Sequence, residues 1–530
     1  MKSLQLSLSK IHQFLNKDTP NLIFITHIFL RSLAAVYCIA FLSLWVQLEG
    51  LIGTEGILPV DKFLDHLYQK YDAGFWETPT LLWLNASNSM INGLALAGGL
   101  IALLGICLPF STILWFVLWF LCLSLFYGGQ TFLSFQWDIF LLEIGFLTMF
   151  LMPFSLLPRT SQKRPPNGLT VFLFHWLLFR FMFASGVVKL ASMDAVWWNL
   201  TALNYHYFTQ PLPPWTAWYA HQLPELLQKI STGGMFFVEL IMPFFLFSRG
   251  GLRTFTGIGF VLLQVGIILT GNYGFFNLLT IVLCLWLFQD STIYRIPIPE
   301  QLTSLREKLT AYKQAFPEVK KAATLSALKI SGRITAYLSA ALIVLFGVML
   351  LTNASLRLNF PWPDFLWKTF QAQSTYHIVN SYGLFADMTE ERLEIIIEGS
   401  NDGQQWQAYQ FKYKPGNLGD APSFVAPHQP RLDWQMWFAA LGNWRQNIWF
   451  VNLAVRLLQG SEPVIQLLAS NPFPEQPPRF IRARSVDYQF TSFSEREKTG
   501  NWWKEGREKE YLPVISRDDL PYLLKQLRLN

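Results

Sequence analysis

Between Leu22 and Leu351 about nine apolar runs alternate with loops that carry nearly all of the local charge. No other feature constrains the fold as much. A run of about 20 apolar residues satisfies its backbone hydrogen bonds internally only as a helix, and at that length it spans the hydrocarbon core of a bilayer. The pattern predicts a polytopic α-helical membrane bundle with spans at 22–47, 91–108, 112–127, 137–157, 169–190, 233–248, 254–270, 273–289 and 334–352. Several runs are short for a perpendicular crossing, and 112–127 and 233–248 can be partly re-entrant. Residues 353–530 then read as a soluble extracytoplasmic α+β domain, β-sandwich-like with added helices.

Composition agrees. Hydrophobic residues make up 52% of the 530 and charged residues only 14%, against about 25% charged in an ordinary soluble domain. The net charge of +6 is mild and follows from loop placement, so it makes no case for nucleic acid. The four cysteines, Cys38, Cys107, Cys122 and Cys284, all fall in apolar runs, and no CxxC occurs. That argues against a disulfide framework, a zinc ribbon or thiol–disulfide exchange, and His206 and His221, 15 residues apart with no cysteine nearby, make a poor metal site. The first run is too long for a signal-peptide core and reads as a retained span.

Basic residues set the orientation. With residues 1–21 cytoplasmic, the inside segments hold Lys2, Lys10, Lys17, Arg159, Lys163, Arg164, Arg249 and Arg253. The inside loop 290–333 adds Arg295, Arg306, Lys308, Lys313, Lys320, Lys321, Lys329 and Arg333. The first outside loop, 48–90, is rich in Glu and Asp instead. This is the positive-inside pattern, and it leaves the domain 353–530 periplasmic or lumenal. Asn85, Asn199 and Asn353 begin Asn-x-Ser/Thr triplets on that same side.

Within the outside domain, Leu393–Glu398 has strand character and Asn401-Asp402-Gly403 signals a turn. Tyr409, Phe411 and Tyr413 alternate in a second strand, and Val486, Tyr488 and Phe490 in a later one. Asp433 is placed to cap a helix carrying Trp434, Trp437, Phe438 and Leu441, and a further helix runs from about Asn447 to Gln459 and stops at Gly460.

Charges inside apolar runs are costly and mark either structure or function. They are His27, Arg31, Asp138, Glu143, His175, Arg180, Lys189 and Glu239. Asp138 or Glu143 can pair with Arg180 or Lys189. Arg31, Asp138, Glu143, His175, Arg180 and Lys189 then form an intramembrane ion network; a substrate or proton site and snorkelling at the interface are the alternatives. The outside loop 192–232 is rich in aromatic residues and proline and offers Tyr205, His206, Gln210, Trp218 and His221 as partner-binding groups. His428, Arg431, Asp433, Trp434 and Trp437 form a second dense polar and aromatic set, in which His428 and Asp433 can pair as acid and base. No GxSxG, Walker A loop, HExxH or strand-linked GxGxxG accompanies them.

Four blocks resemble the lipase maturation factor family: LTALNYHYFTQPLPPWTAWYAHQLP from Leu200, NSYGLFADMTEERLEIIIEGSNDG from Asn380, FVAPHQPRLDWQMWFAALG from Phe424 and NPFPEQPPRFIRAR from Asn471. The resemblance implies a membrane-anchored folding and assembly factor, without a cofactor, whose C-terminal domain and aromatic loop meet a secreted lipase or other exported client. It implies no enzyme. With no cysteine on the outside face, no redox role follows. The stretch FASGVVKL from Phe183, followed by Asp194 and Trp197, is similar to a segment of the vitamin-K-dependent γ-carboxylases. There Lys189 matches a catalytic base, which implies the alternative of a quinone-linked membrane enzyme. A transporter using the charges of the fourth and fifth spans is the third reading.

The orientation is testable by labelling. A cysteine introduced at Gln404 should react with an impermeant maleimide only from the periplasmic or lumenal side; reaction from the cytosol alone would reverse the topology.

Overall fold

The computed structural model describes residues 10–11, 13–108, 111–151, 165–294 and 330–527. Of the residues that orient the chain, Lys2, Arg159, Lys163, Arg164, Arg295, Arg306, Lys308, Lys313, Lys320, Lys321 and Lys329 lie outside the described residues, as does the Arg333 side chain. So do residues 152–157 of the fourth run.

Each of the nine runs contains helix where described. The helices are α1 (Ile23–Trp45), α2 (Asn88–Cys107), α3 (Thr112–Gly128), α4 (Gln136–Thr148) and α5 (Gly168–Ala191). Three shorter ones follow, α6 (Leu203–Thr209), α7 (Trp215–His221) and α8 (Glu225–Phe236), before α9 (Gly251–Thr270), α10 (Phe276–Cys284) and α11 (Ile330–Leu350). Among the described residues five helices are long and apolar enough to cross a membrane: Thr19–Trp45, Asn88–Cys107, Gly168–Ala191, Gly251–Thr270 and Ile334–Ser355. Thr112–Gly128 and Phe276–Leu287 are apolar but shorter. Local chemistry sets the starts: Ser87, Ser111 and Asn167 accept backbone N–H bonds from the first turns of α2, α3 and α5.

The run 233–248 is not one regular helix. After α8 the backbone widens into a π-turn, Phe237–Ile241, before a last helical turn, Met242–Phe245. Pro243 explains the widening. It lacks an N–H, and its ring would clash with the carbonyl four residues earlier.

The bundle has two distinct ends. At one, Asp290 accepts the backbone N–H groups of Phe24 and Ile25 at 3.0 Å, Asn16 accepts that of Gly168 at 3.1 Å, and Asp18 lies 3.9 Å from Arg249 and Arg253. At the other, Gln130 bonds the Leu58 carbonyl at 3.0 Å and Thr216 bonds that of Leu269. The C-terminal domain sits on this second end.

That domain is α+β. A four-stranded antiparallel sheet has the order β2-β1-β5-β6, with β1 Arg392–Ser400, β2 Gln407–Ala408, β5 Phe480–Phe490 and β6 Trp503–Ser516. A two-stranded ladder joins β3 (Gln410–Phe411) to β4 (Leu468–Ser470). The segment expected as one strand through Tyr413 is thus two short pieces in different sheets. The edge strand β6 presents Lys504, Glu505, Arg507, Glu508, Lys509 and Glu510, a charged rim that discourages edge-to-edge pairing. Two helices pack on the sheet, α12 (Arg431–Ala440) and α13 (Ile448–Gln459); α13 ends at Gly460, whose φ of +72° suits glycine. Asp433 does not cap α12. Pro430 holds that position, and Asp433 instead accepts the backbone N–H groups of Tyr413 and Lys414 at 2.9 Å.

Bundle and domain share one hydrophobic core, continuous from Phe29 and Trp137 to Leu432, Ile395 and Tyr511. Buried polar contacts cross it. Arg431 makes a two-pronged ion pair with Asp138, at 2.6 and 2.8 Å, and its N–H donates to Gln47 Oε1 at 2.8 Å. Ser43 Oγ lies 2.8 Å from His428 Nδ1 and accepts the Gln429 N–H. Glu143 pairs with Arg180 and also accepts from the Asn380 N–H and from the Tyr382 hydroxyl at 2.7 Å. Arg456 donates to the Gly56 and Thr54 carbonyls. Gly50 admits the domain this closely, since a Cβ there would strike the Pro463 carbonyl.

Removing one partner of a buried pair strands the other charge, at a cost of roughly 3–5 kcal/mol. Arg431→Met alone should therefore lower the melting temperature in detergent strongly and expose the junction to protease. Adding Asp138→Leu should restore most of the loss. Equal melting of single and double variants would dismiss the pair as a structural lock.

Candidate functional site

Helix α5 carries Phe181, Ser185 and Lys189 at four-residue spacing, and so on one face. This face lines a cavity of about 400 Å³, with α6, the α8–π-turn segment, α9 and the start of α10 as its other walls. Lys189 Nζ donates to Glu239 Oε2 at 2.8 Å and to the Ser185 carbonyl at 2.7 Å, and lies 5.5 Å from the Trp197 ring centroid. Glu239 is at the centre of the π-turn. Gly186 allows the approach, because a Cβ there would come within 3.0 Å of Glu239 Cβ and 2.7 Å of Leu240.

The opposite wall comes from the loop 192–232. His206 Nε2 lies 3.0 Å from the Tyr273 hydroxyl, which donates to Gln210 Oε1 at 3.2 Å. Gln210 in turn donates to the Thr270 carbonyl at 2.7 Å. The C-terminal domain holds this wall in place. Arg392 donates to the carbonyls of Phe208, Gln210 and Pro211 at the C-terminal end of α6, where a cation also suits the helix dipole. Trp437 Nε1 donates to the Thr209 carbonyl at 2.6 Å. Phe385, with φ of +54°, packs edge-on against His206 at 4.8 Å and against Tyr273 at 6.1 Å.

Burial, reinforced by the nearby Lys189 charge, pushes the His206 pKa down to about 4. Burial does the same at His428, helped by Arg431 and Lys412. His206 is thus neutral at neutral pH, and Lys189 and Glu239 balance each other. The site offers hydrogen bonds rather than net charge. Among the described residues no group of three or more His, Cys, Asp or Glu side chains is placed to hold a metal ion.

The ion network expected from sequence resolves into separate pairs. Glu143 takes Arg180; Asp138 reaches across to Arg431 instead of to α5, and Lys189 is held by Glu239. His175 bonds the Trp286 carbonyl at 2.9 Å, and Arg31 is exposed on α1. His428 and Asp433 do not pair with each other, since Ser43 and the Tyr413–Lys414 backbone take them.

The residues expected to meet a partner lie mainly at the chain's own junctions. Gln210, Trp218, Arg431, Asp433 and Trp434 are buried. Trp434 packs on Trp137 at 4.8 Å, and His221 lies between Phe208 and Phe490. Tyr205 is half-buried beside the Trp197 cluster. Their exposed neighbours are different: Trp215, Tyr219 and Phe424 are each 44% exposed and Phe493 58%. Their rings form a chain, Phe424–Trp215 at 5.9 Å, Trp215–Tyr219 at 5.9 Å and Tyr219–Phe493 at 6.3 Å. The Arg496 guanidinium stacks behind it on Trp502 at 3.5 Å. In the sequence Trp215 and Tyr219 are only two more rings of the aromatic loop 192–232. Glu239 was visible as a carboxylate in an apolar run, whereas Arg392, Asn380 and Phe385 carried no local signal.

A family model described as the lipase maturation factor transmembrane domain matches residues 24–295, and one for the C-terminal domain of the same family matches 378–513. Lipase maturation factor 2 of Xenopus laevis is 38% identical, over 93% of this chain and 82% of its own length. Human lipase maturation factor 2 is 37% identical, over 95% and 84%. Human lipase maturation factor 1 is 34% identical, over 93% and 88%. No solved structure matches the chain.

Low pH should load the two histidines unevenly between folded and unfolded chains. With folded values near 4 against an ordinary 6.5, the unfolded chain binds more protons between those values. Their contribution is then flat above about pH 6.5 and becomes destabilising as pH falls toward 4. Melting curves in detergent at pH 7 and pH 5 should show a smaller drop for the doubly substituted His206→Gln, His428→Gln protein than for wild type. An identical drop would assign the acid sensitivity elsewhere.

Proposed function

Since the chain belongs to the lipase maturation factor family, we propose that this integral membrane protein assists the folding and assembly of a secreted lipase or another exported client. In this reading all nine apolar segments cross the bilayer, the N-terminus is cytoplasmic, and the C-terminal domain faces the periplasm or lumen. The loop charges support that orientation. So does the way the domain's contacts go to segments at a single end of the bundle, the end opposite Arg249 and Arg253.

The observation that carries the reading is the exposed ring chain of Trp215, Tyr219, Phe424 and Phe493. It is shared by the loop 192–232 and the C-terminal domain. Contiguous exposed apolar surface framed by polar groups suits binding of another protein, and a partly folded client exposes matching surface. Capture of this kind needs no nucleotide and no covalent step. The buried and half-buried groups Tyr205, His206, Gln210, Trp218, His221, His428, Arg431, Asp433, Trp434 and Trp437 then serve the client indirectly, by fixing the loop and the domain as one platform.

A quinone-linked enzyme built on Lys189 is the second reading, favoured by the cavity that Lys189 lines. The paired change Lys189→Met with Glu239→Gln removes the charge without stranding a carboxylate. It should leave client maturation intact under the first reading and abolish activity under the second.

For the patch, a Tyr219→Ser, Phe493→Ser protein co-expressed with a secreted lipase should cut the yield of active lipase about tenfold, the effect of losing roughly 1.4 kcal/mol of contact. Its own level in the membrane should be unchanged. Full lipase yield from that variant would remove the patch from the maturation step.

A further inference from the structure

The cavity beside Lys189 is not needed for client capture, and its construction calls for a ligand. At about 400 Å³ it falls in the range of small-molecule sites, roughly 300–1,000 Å³. Apolar side chains such as Phe181, Met182, Met235, Leu262 and Ile267 form most of its wall. Hydrogen-bonding groups gather toward the outside loop: Lys189, His206, Gln210 and Tyr273, with the Gln264–Asn277 pair, bonded at 2.7 Å, further along α9. Such a gradient, apolar body and polar head, matches an amphiphile.

The mouth indicates where the ligand comes from. Ser231 is exposed, Leu262 is 64% exposed, and a Cβ added at Gly266 would meet nothing within 4 Å. These residues border the cavity on the flank of α9, a helix whose most apolar stretch is only 28% buried by the rest of the chain. That flank faces hydrocarbon, so the cavity opens sideways into the bilayer rather than into water.

The head is constrained by charge. Lys189 and Glu239 already neutralise each other, so a carboxylate or phosphate head would have to displace Glu239 into an apolar wall. Two of the three lysine N–H donors are engaged, by Ser185 and Glu239, which leaves one for an acceptor. We propose that the cavity takes up one lipid from the bilayer, its head uncharged and carbonyl-bearing, received by Lys189 beside His206, with its chain leaving past Gly266. An acylglycerol and an isoprenoid quinone share this chemistry.

Gly266→Phe closes the mouth where the structure has room for a side chain, and Gly93→Phe, at a second glycine with nothing within 4 Å, is its control. Each full-length protein is reconstituted in phosphatidylcholine vesicles containing a photoreactive monoacylglycerol, irradiated, and mapped by peptide mass spectrometry. Wild type and Gly93→Phe should label at Met235 or Leu262, with Gly266→Phe reduced about tenfold. Excess unlabelled monoolein or ubiquinone should compete, and whichever competes better names the source; excess oleate at pH 8 should not. Equal labelling of the two glycine variants, failure of both neutral competitors, or competition by oleate alone would overturn the assignment.

Discussion

The ion pair between Asp138 and Arg431 ties the two halves of the chain together. A carboxylate buried in the first turn of α4 is tolerable only if its charge is met, and here it is met by a guanidinium from a helix of the C-terminal domain. The two-pronged geometry also fixes orientation, since a planar fork seats on a carboxylate in few ways. Around it Gln47, Ser43, Glu143 and Arg180 bind backbone and side chains of the same domain. The domain is thus a second layer of the membrane bundle rather than a tethered appendage.

From this lock follow the placements of two surfaces, the wall of the cavity and the exposed ring chain. Arg392 and Trp437 hold the carbonyl end of α6 and so place His206 over the cavity. Gln222 and Trp218 bond Thr491, which sets Tyr219 beside Phe493 in the exposed ring chain. A rigid platform suits client capture, because little ordering entropy is then lost on the platform's side when a partner binds. The two surfaces are separate: the ring chain faces outward from the junction, whereas the cavity lies against the flank of α9.

The sequence made the helices legible because hydrophobicity along a membrane segment is dense and redundant; one residue more or less changes nothing. Glycine at 460 and the alternation Val486, Tyr488, Phe490 were readable for similar local reasons. The pairings were not. Asp138 faces Arg431 across 293 residues, and no spacing rule distinguishes it from Glu143, which takes the nearby Arg180. Trp218 and Trp434 looked like partner-facing aromatics because composition cannot separate a ring that fills an intramolecular junction from one left bare. Asp433 looked like a helix cap until the Tyr413–Lys414 backbone claimed it. The π-turn at Glu239 follows from Pro243, a signal that was present in the sequence but masked by the surrounding apolar run.

The separation of Asp138 from Arg431 also orders events during synthesis. At about 5–20 residues per second, a ribosome takes roughly 15 to 60 s to travel from one to the other. Throughout that interval the nascent bundle holds an acid whose countercharge does not yet exist, and Glu143 lacks Asn380 and Tyr382 in the same way. Until then the early helices lack the buried partners that Arg431, Asn380 and Tyr382 supply. The junction closes only when the last third of the polypeptide has been made and folds back onto them.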